Sequence, residues 1–480
     1  MKICPRLENQ SSEPLYLQLY QYLKEEIQTG GIPSLKRLPS IRELADDLHI
    51  SKTTVQMAYQ QLLAEGYVES KERSGYFVVK MEKEPFGDLP HFSQPPSEKK
   101  PTPAQKNILF DFYMSHIDVD HFPFQKWKAY VNQSLNSEFL SYGDKQGEPG
   151  LRSSISRYLR QARAVNCAEE QIVIGSGTQT IMRLLCQLIG LDGKKIAMEE
   201  PGYDGVRHVF QGLGFEMSPV KLEADGINLD ALERSGAKVV YITPSHQFPL
   251  GMVMPITKRI KLLQWAEENG GLIIEDDYDG EFRYHGKPIP SLQGLDANGN
   301  VIYAGTFSKS LMPAIRMSYI VLPERLLHIY QANRFKYDQT VSRLHQRTLQ
   351  MFMESGEWER HIRRMRKIYQ KKHDLLLQTI KNTMGDYVKI TGQNAGLHIV
   401  TQIKSRKSAD ELVEIAERLG VKVYSTTANW SIGQEKGNPL ILLGFGGLSE
   451  EQIVEGIELL HEAWLPFYED QQKPIDSHVT

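Results

Sequence analysis

Cysteine is scarce in this chain: three thiols among 480 residues, Cys4, Cys167 and Cys186. An odd count at these spacings builds neither a disulfide framework nor a zinc site, so no metal centre is expected, and a reducing cytoplasmic setting is. Long apolar runs are lacking as well. The longest, such as Pro439 to Phe445, have the length of a strand and fall far short of the ~18 residues that cross a bilayer. The opening stretch, Met1 to Pro14, is polar and carries Glu8 and Glu13, so no signal peptide and no membrane partner are expected. Nor does one charge dominate. Lys and Arg total 56 against 59 Asp and Glu, a net charge of −3. Any contact with nucleic acid therefore has to come from a local patch. Internal repeats are absent too.

What is present is an ordinary globular composition, 40% hydrophobic and 24% charged, in a chain long enough for two to four domains at about 150 residues each. Residues 1–80 read as helices followed by a short strand pair. Residues 81–106 hold six prolines and little hydrophobic periodicity, the pattern of a semi-extended linker. Residues 107–480 alternate short apolar runs with amphipathic segments. Ile172–Ile174, Lys195–Met198, Val239–Thr243, Leu272–Glu275 and Val301–Tyr303 read as strands, and strand–helix alternation predicts a mostly parallel sheet with helices on both faces.

In the first region Leu15, Leu19, Tyr22, Leu23 and Ile27 recur at helical spacing, and Gly30-Gly31 ends that helix. Ser40 caps a second helix over Ile41–Leu48, with Glu43 at the capping-box position. His49-Ile50 turn the chain, and Ser51 caps a third helix ending at Glu65-Gly66. On it Val55, Ala58, Tyr59, Leu62 and Leu63 form the apolar face. Tyr67–Glu69 and Gly75–Val79 then make two strands, a wing. Ser51, Lys52, Thr53 and Thr54 give the third helix a short, polar, basic first turn suited to base edges and phosphates. Arg42, Lys52, Lys71 and Arg73 are candidate phosphate contacts. The competing reading is a helical domain with a solvated charged face. The segments Leu38-Pro39-Ser40-Ile41-Arg42-Glu43-Leu44-Ala45, Ile50 to Val55, Glu65-Gly66-Tyr67 and Ser74 to Val78 closely resemble the GntR family of winged helix-turn-helix regulators. That resemblance implies a double-stranded DNA operator as partner. Lys52 stands where the family commonly has Arg, which keeps a cation but loses bidentate guanine recognition.

Four motifs in the large region bear on one ligand. Ile172 to Gln179 is a strand running into Ser176, Gly177 and Thr178 at a helix start, where backbone amides can meet a phosphate; a plain tight turn is the alternative. Leu272 to Tyr278 is a buried strand ending in acids, and Asp276 there can face a protonated ring nitrogen, with Tyr278 on the same side. A solvated acidic loop would look similar. Tyr303 to Lys309 places a lysine just past a strand, where its amine can condense with an aldehyde. Arg316, with Thr306 and Ser308, suits a dianionic phosphate.

Together these resemble the fold-type I pyridoxal-phosphate aminotransferases. The resemblance implies that cofactor, with Lys309 as its covalent anchor and the catalytic lysine, Asp276 on the pyridine nitrogen, Tyr278 on the phenolic oxygen and Tyr203 stacked on the ring. Ser176, Gly177, Thr178, Thr306, Ser308 and Arg316 would surround the phosphate. Tyr142 would reach the phosphate of a second subunit, which implies a homodimer. Both halves in this order, with Ser245 to Gly251, Glu275 to Phe282 and Gly305 to Lys309, resemble the MocR/GabR subfamily. The expected architecture is α/β: an N-terminal winged helix-turn-helix domain, then an aminotransferase-like domain with a smaller C-terminal α+β subdomain. The expected function is transcription regulation in response to a small amine or amino-acid-like effector. An active aminotransferase with an appended DNA-binding domain, or a sensor of pyridoxal phosphate itself, are the alternatives. Two departures count against full transaminase activity. Phe248 replaces the usual Asn on the phenolic oxygen. Leu440 to Phe445 is hydrophobic where a carboxylate-clamping arginine is usual; Arg207 is a candidate substitute, against the preferred reading of it as a salt-bridged surface arginine.

Overall fold

The computed structural model describes residues 5, 7, 13–71, 74–80, 107–190, 195–284, 290–433 and 437–469. It divides into two compact units, Met1–Pro103 and Ala104–Thr480. The expected linker and Arg73 lie outside the described residues.

The first unit holds α1 (Leu15–Gln28), α2 (Ile41–Leu48), α3 (Lys52–Ala64), β1 (Val68–Lys71) and β2 (Gly75–Val78). The capping signals act as the sequence suggests. Ser40 Oγ accepts from the Glu43 amide while the Ser40 amide donates to the Glu43 carboxylate, both at 3.2 Å. Ser51 Oγ accepts from the Thr54 amide at 3.0 Å. His49, in the left-handed region at φ 53°, ends α2 and turns the chain into α3. Leu19, Leu23, Ile27, Leu44, Val55, Ala58, Tyr59 and Leu62 meet in one core, and the buried Tyr59 hydroxyl donates to Pro39 O at 3.0 Å. Leu63 departs from expectation. It is 40% exposed, because one residue past the buried Leu62 the helix has turned by about 100°. β1 and β2 pair antiparallel, Val68 opposite Val78.

The second unit opens with β3 (Phe110–Asp111), α4 (Phe124–Ser134) and α5 (Pro149–Arg163). Its main sheet comprises β4 (Ile172–Gly175), β5 (Lys195–Glu200), β6 (Glu216–Glu223), β7 (Gly226–Ile227), β8 (Val239–Ile242), β9 (Leu272–Asp277), β10 (Val301–Thr306) and β11 (Ser318–Val321). In space the order is β4-β11-β10-β9-β8-β5-β6-β7. The five strands from β10 to β6 are mutually parallel. β11 lies antiparallel to both β10 and β4, so β4 points the same way as β9 and β10. All five expected strands are present. β6 and β11 were not expected: β6 carries four charged or proline positions near the sheet edge, and β11 is only four residues long.

Between the strands run α6 (Thr178–Ile189), α7 (Asp204–Gly212), α8 (Leu229–Ser235) and α9 (Ile256–Asn269), and after them α10 (Glu324–Asn333), α11 (Arg343–Glu354) and α12 (Glu357–Met384). Side chains alternate across the sheet to meet helices on both faces. Ile302 and Ala304 join the core of α6, α7 and α10, while Tyr303 joins that of α5 and α11.

The smaller part is a four-stranded sheet of β12 (Val388–Thr391), β13 (His398–Ile403), β15 (Tyr424–Ser425) and β16 (Leu440–Gly444), ordered β12-β13-β16-β15 and antiparallel throughout. With α12, α13 (Ala409–Arg418) and α14 (Glu450–Trp464) it shares a core that includes Leu376, Leu412, Ile441, Leu443, Leu460 and Trp464. β3 pairs in parallel with β14 (Val421–Lys422), which ties the start of the unit to this subdomain. The carboxyl ends of β4, β9 and β10 thus share one edge of the main sheet, where α/β folds build their sites.

Candidate functional site

A cavity of about 660 Å³ opens at that edge. Thr178, Tyr203, Asp276, Tyr278, Thr306, Ser308, Lys309 and Arg316 line it, so eight of the expected residues, from four separate stretches of chain, converge. Gly177 stands directly behind Arg316. At φ +91° it has a backbone that favours glycine, and a Cβ there would collide with the Arg316 guanidinium. Arg316 is exposed and forms no ion pair among the described residues. Thr306 Oγ1 accepts from Ser318 Oγ at 2.9 Å and from the Ser308 amide at 3.2 Å, which fixes both hydroxyls beside Thr178 at the cavity wall.

Two expected residues are placed elsewhere. The Ser176 amide donates to Thr340 Oγ1 at 3.0 Å and its hydroxyl to Thr180 Oγ1 at 3.3 Å, and Ser176 does not line the cavity. Tyr142 is fully exposed and lies outside the cavity.

The Lys309 amine donates to Met114 O at 2.5 Å and to Ser115 Oγ at 3.0 Å. Burial lowers its pKa to about 8, with Asp279 opposing the shift. Asp276 is buried and accepts from the Tyr241 hydroxyl at 2.5 Å. Burial raises its pKa to about 7. The Tyr241 hydrogen bond opposes the shift, and Asp277 and Asp279 reinforce it. A cation against this carboxyl would offset that cost. The Tyr278 hydroxyl donates to His246 O at 2.9 Å. Phe248 meets Tyr203 edge-on, with ring centroids 5.5 Å apart. An unpaired guanidinium beside hydroxyls, a carboxyl lacking a cation and a lysine with a depressed pKa are the three groups that a phosphorylated pyridine aldehyde requires. The residues fit pyridoxal phosphate.

Sequence reasoning missed Tyr241, Thr243 and the strap Tyr113-Met114-Ser115-His116, all of which line the cavity. Tyr241 carries a signal as the one hydroxyl-bearing residue in the apolar run Val239–Ile242. The strap has none, because contacts nearly 200 residues apart bring it to Lys309. Arg207 is a correction. Its buried guanidinium donates to Gly202 O at 3.2 Å, to Ala428 O at 3.3 Å and to Asn429 O. It holds the 427–429 turn and does not line the cavity, so it is neither a substitute clamp nor a salt-bridged surface arginine. Ile441 and Leu442 are buried in β16.

In the first unit Arg42, Ser51, Lys52 and Thr53 are exposed and Thr54 is half-buried. Ser51 and Thr54 share a 2.8 Å hydroxyl contact at the start of α3. Lys71 pairs with Glu69 at 2.9 Å and lies over the Phe77 ring.

Residues 15–78 match the gntR family of bacterial regulatory proteins, and residues 111–429 match the aminotransferase class I and II family. The HTH-type transcriptional regulator YhdI of Bacillus subtilis is 44% identical over 97% of this chain and 99% of its own length. The probable rhizopine catabolism regulatory protein MocR of Rhizobium meliloti is 31% identical over 98% of each. The chain belongs to the MocR-type transcriptional regulators. Its relatives in this family also include the pyridoxine biosynthesis regulator PdxR of Corynebacterium glutamicum, 30% identical over 91% of this chain and 93% of its own length. Among solved structures, LysN, an α-aminoadipate aminotransferase from Thermus thermophilus held with N-(5′-phosphopyridoxyl)-L-leucine, superposes with a TM-score of 0.68 at 26% identity, over 75% of this chain and 93% of its own. The second unit of this MocR-type regulator thus has the fold-type I aminotransferase fold, whose cofactor is pyridoxal phosphate, and the first has the winged helix-turn-helix of DNA-binding GntR proteins. Among the described residues no helix is long and apolar enough to cross a membrane.

The depressed lysine gives a direct test. Competitive labelling of the cofactor-free regulator with an amine-reactive reagent should give Lys309 half its limiting reactivity near pH 8, against about 10.4 for an ordinary lysine. A midpoint at the ordinary value would contradict the buried, dehydrated setting of this amine.

Proposed function

We propose that this regulator binds operator DNA through residues 1–80 and pyridoxal phosphate through residues 107–480, with 81–106 as the linker, and that it responds in the cytoplasm to a small amine or amino-acid-like effector. The observation that carries the reading is the Lys309 amine, with its pKa lowered to about 8, in one cavity with the unpaired Arg316 and the cation-lacking Asp276. Bound there, pyridoxal phosphate would supply an aldehyde that condenses with primary amines. Lys309 would anchor it, Asp276 would face its ring nitrogen, Thr178, Thr306, Ser308 and Arg316 would hold its phosphate, and Tyr203 and Tyr278 would flank its ring. An effector amine has the same reactive group as Lys309, which is why that class of ligand fits a sensor built on this site. Transamination needs the substrate's Cα–H bond held in a reactive geometry, which for an amino acid a carboxylate clamp supplies. With Arg207 spent on carbonyls and Ile441 and Leu442 buried, the regulator reading is favoured over a working aminotransferase.

A homodimer is part of the proposal. Tyr142 and Leu140 are almost wholly exposed. Three residues on from Tyr142, Lys145 donates to the carbonyl of Phe335, itself 73% exposed. Large exposed apolar side chains in these two segments support a subunit contact, and Tyr142 would be the residue that crosses it.

Borohydride treatment of the regulator loaded with pyridoxal phosphate should leave a stable pyridoxyl adduct on Lys309, and Asp276→Ala should weaken cofactor binding on the order of 100-fold by removing a buried charge partner. An adduct on another lysine sinks the assignment. On the DNA side, Lys52→Ala and Arg42→Ala should each weaken operator binding and reduce the slope of log affinity against log salt by about one. Unchanged slopes in both variants would place the phosphate contacts elsewhere.

A further inference from the structure

Behind Tyr278 lies a buried chain of polar groups that the function above does not use. His246, on the loop after β8, has its Nδ1 2.9 Å from Asp279 Oδ2 and 3.0 Å from the Tyr278 hydroxyl. The same hydroxyl donates to His246 O. Asp279 and His246 are each 1% exposed. No other donor reaches the Asp279 carboxylate, whose Oδ1 has no partner among the described residues, so the Nδ1 proton belongs on the Asp279 side. The packing leaves this ring no freedom. A Cβ at Gly396 would collide with the His246 ring and crowd Asp279, and one at Gly251 would come within 3.0 Å of His246 Nε2. A histidine whose one Nδ1 proton is shared between that carboxylate and the oxygen of a cavity-lining tyrosine, and whose carbonyl accepts the tyrosine's own proton, acts on that tyrosine.

We propose that Asp279 and His246 are positioning residues that fix the Tyr278 hydroxyl and through it set the proton state of the cofactor's phenolic oxygen. The inference rests on the pyridoxal-phosphate reading above. Asp279 orients the imidazole. The imidazole Nδ1 and the His246 carbonyl together fix the phenol, and the phenol faces the cavity. The site needs such support because Phe248, 6.0 Å from Tyr278, offers the ring no polar contact. The other ionisable groups around the chain are Asp276 and Asp277 on β9, Glu199 on β5, His398 on β13 and Lys309. Burial, with His246 and Lys309 nearby, holds the pKa of His398 well below the usual imidazole value.

The test is the pH midpoint of the visible absorbance band of the regulator loaded with pyridoxal phosphate, with the cofactor dissociation constant measured alongside. Tyr278→Phe, His246→Leu and Asp279→Asn should each move the midpoint in the same direction, by at least about half a pH unit, or roughly threefold in the proton-binding constant. His246→Asn keeps a donor near the Nδ1 position and should restore most of the wild-type midpoint. In a Tyr278→Phe background, His246→Leu should add nothing, because its route to the cofactor is gone. Asp279→Asn carries the test if His246→Leu does not fold. Wild-type midpoints in His246→Leu and Asp279→Asn, or a His246→Leu shift that adds in full to that of Tyr278→Phe, would overturn the inference alone. So would a midpoint that moves on treatment with EDTA, since the ligand atoms of His246, Asp279 and His398 lie within 4.8 Å of one another and would then be holding a metal ion. A wild-type protein that takes up no pyridoxal phosphate would overturn the cofactor reading and this inference with it.

Discussion

Four acids fall within five residues at the end of β9, Glu275, Asp276, Asp277 and Asp279, and all four are buried. Burying a carboxylate is costly unless it is paired or hydrogen-bonded, and the surroundings meet that demand acid by acid. Glu275 accepts from the Leu292 and Gln293 amides at 2.8 and 2.9 Å and faces Arg259. Asp277 pairs with Arg163 at 2.6 Å and accepts from the Tyr303 hydroxyl. Asp279 has His246. Only Asp276 is left without a basic side chain among the described residues, held by Tyr241 alone. It is also the one of the four that lines the cavity. Three of the acids thus have a basic side chain from within, although Asp277 Oδ1 and Asp279 Oδ1 keep no hydrogen bond among the described residues, and the fourth is left for a ligand with a positive ring.

The same economy explains the other end of the site. Arg316 is kept out of internal ion pairs, Gly177 is kept bare to make room for it, and the hydroxyls of Thr306 and Ser308 are locked by local bonds. Lys309 sits between these two poles, its amine on the Met114 carbonyl and the Ser115 hydroxyl. That strap follows β3, near the start of the second unit.

Much of this was legible in the sequence where the information is local. Ser40 with Glu43, and Ser51 with Thr54, specify helix starts through side chains three residues apart. The five short β-rich runs that became β4, β5, β8, β9 and β10 are continuous and apolar, as strands buried on both faces must be. Lys309, Asp276 and Arg316 stand at fixed offsets from strand ends, so their convergence could be inferred. What escaped depends on long-range packing. The strap at Tyr113–His116 carries no motif, and the chain from Asp279 through His246 to Tyr278 forms only when β8 and β9 lie side by side. Arg207 misled because an arginine near a cofactor motif looks free until the 427–429 turn is seen to occupy it. Leu63 misled because an apolar residue next to the buried face of a helix belongs, by rotation, to the next face.

The central claim is that one cavity, anchored at Lys309, governs a DNA-binding unit. Its most direct test is the affinity of the full-length protein for a DNA site selected from a random library, measured with and without pyridoxal phosphate, in the wild type and in Lys309→Ala. Pyridoxal phosphate should shift the wild-type dissociation constant for DNA, and the shift should be lost in the variant. Equal affinity in the wild type with and without the cofactor would contradict the claim.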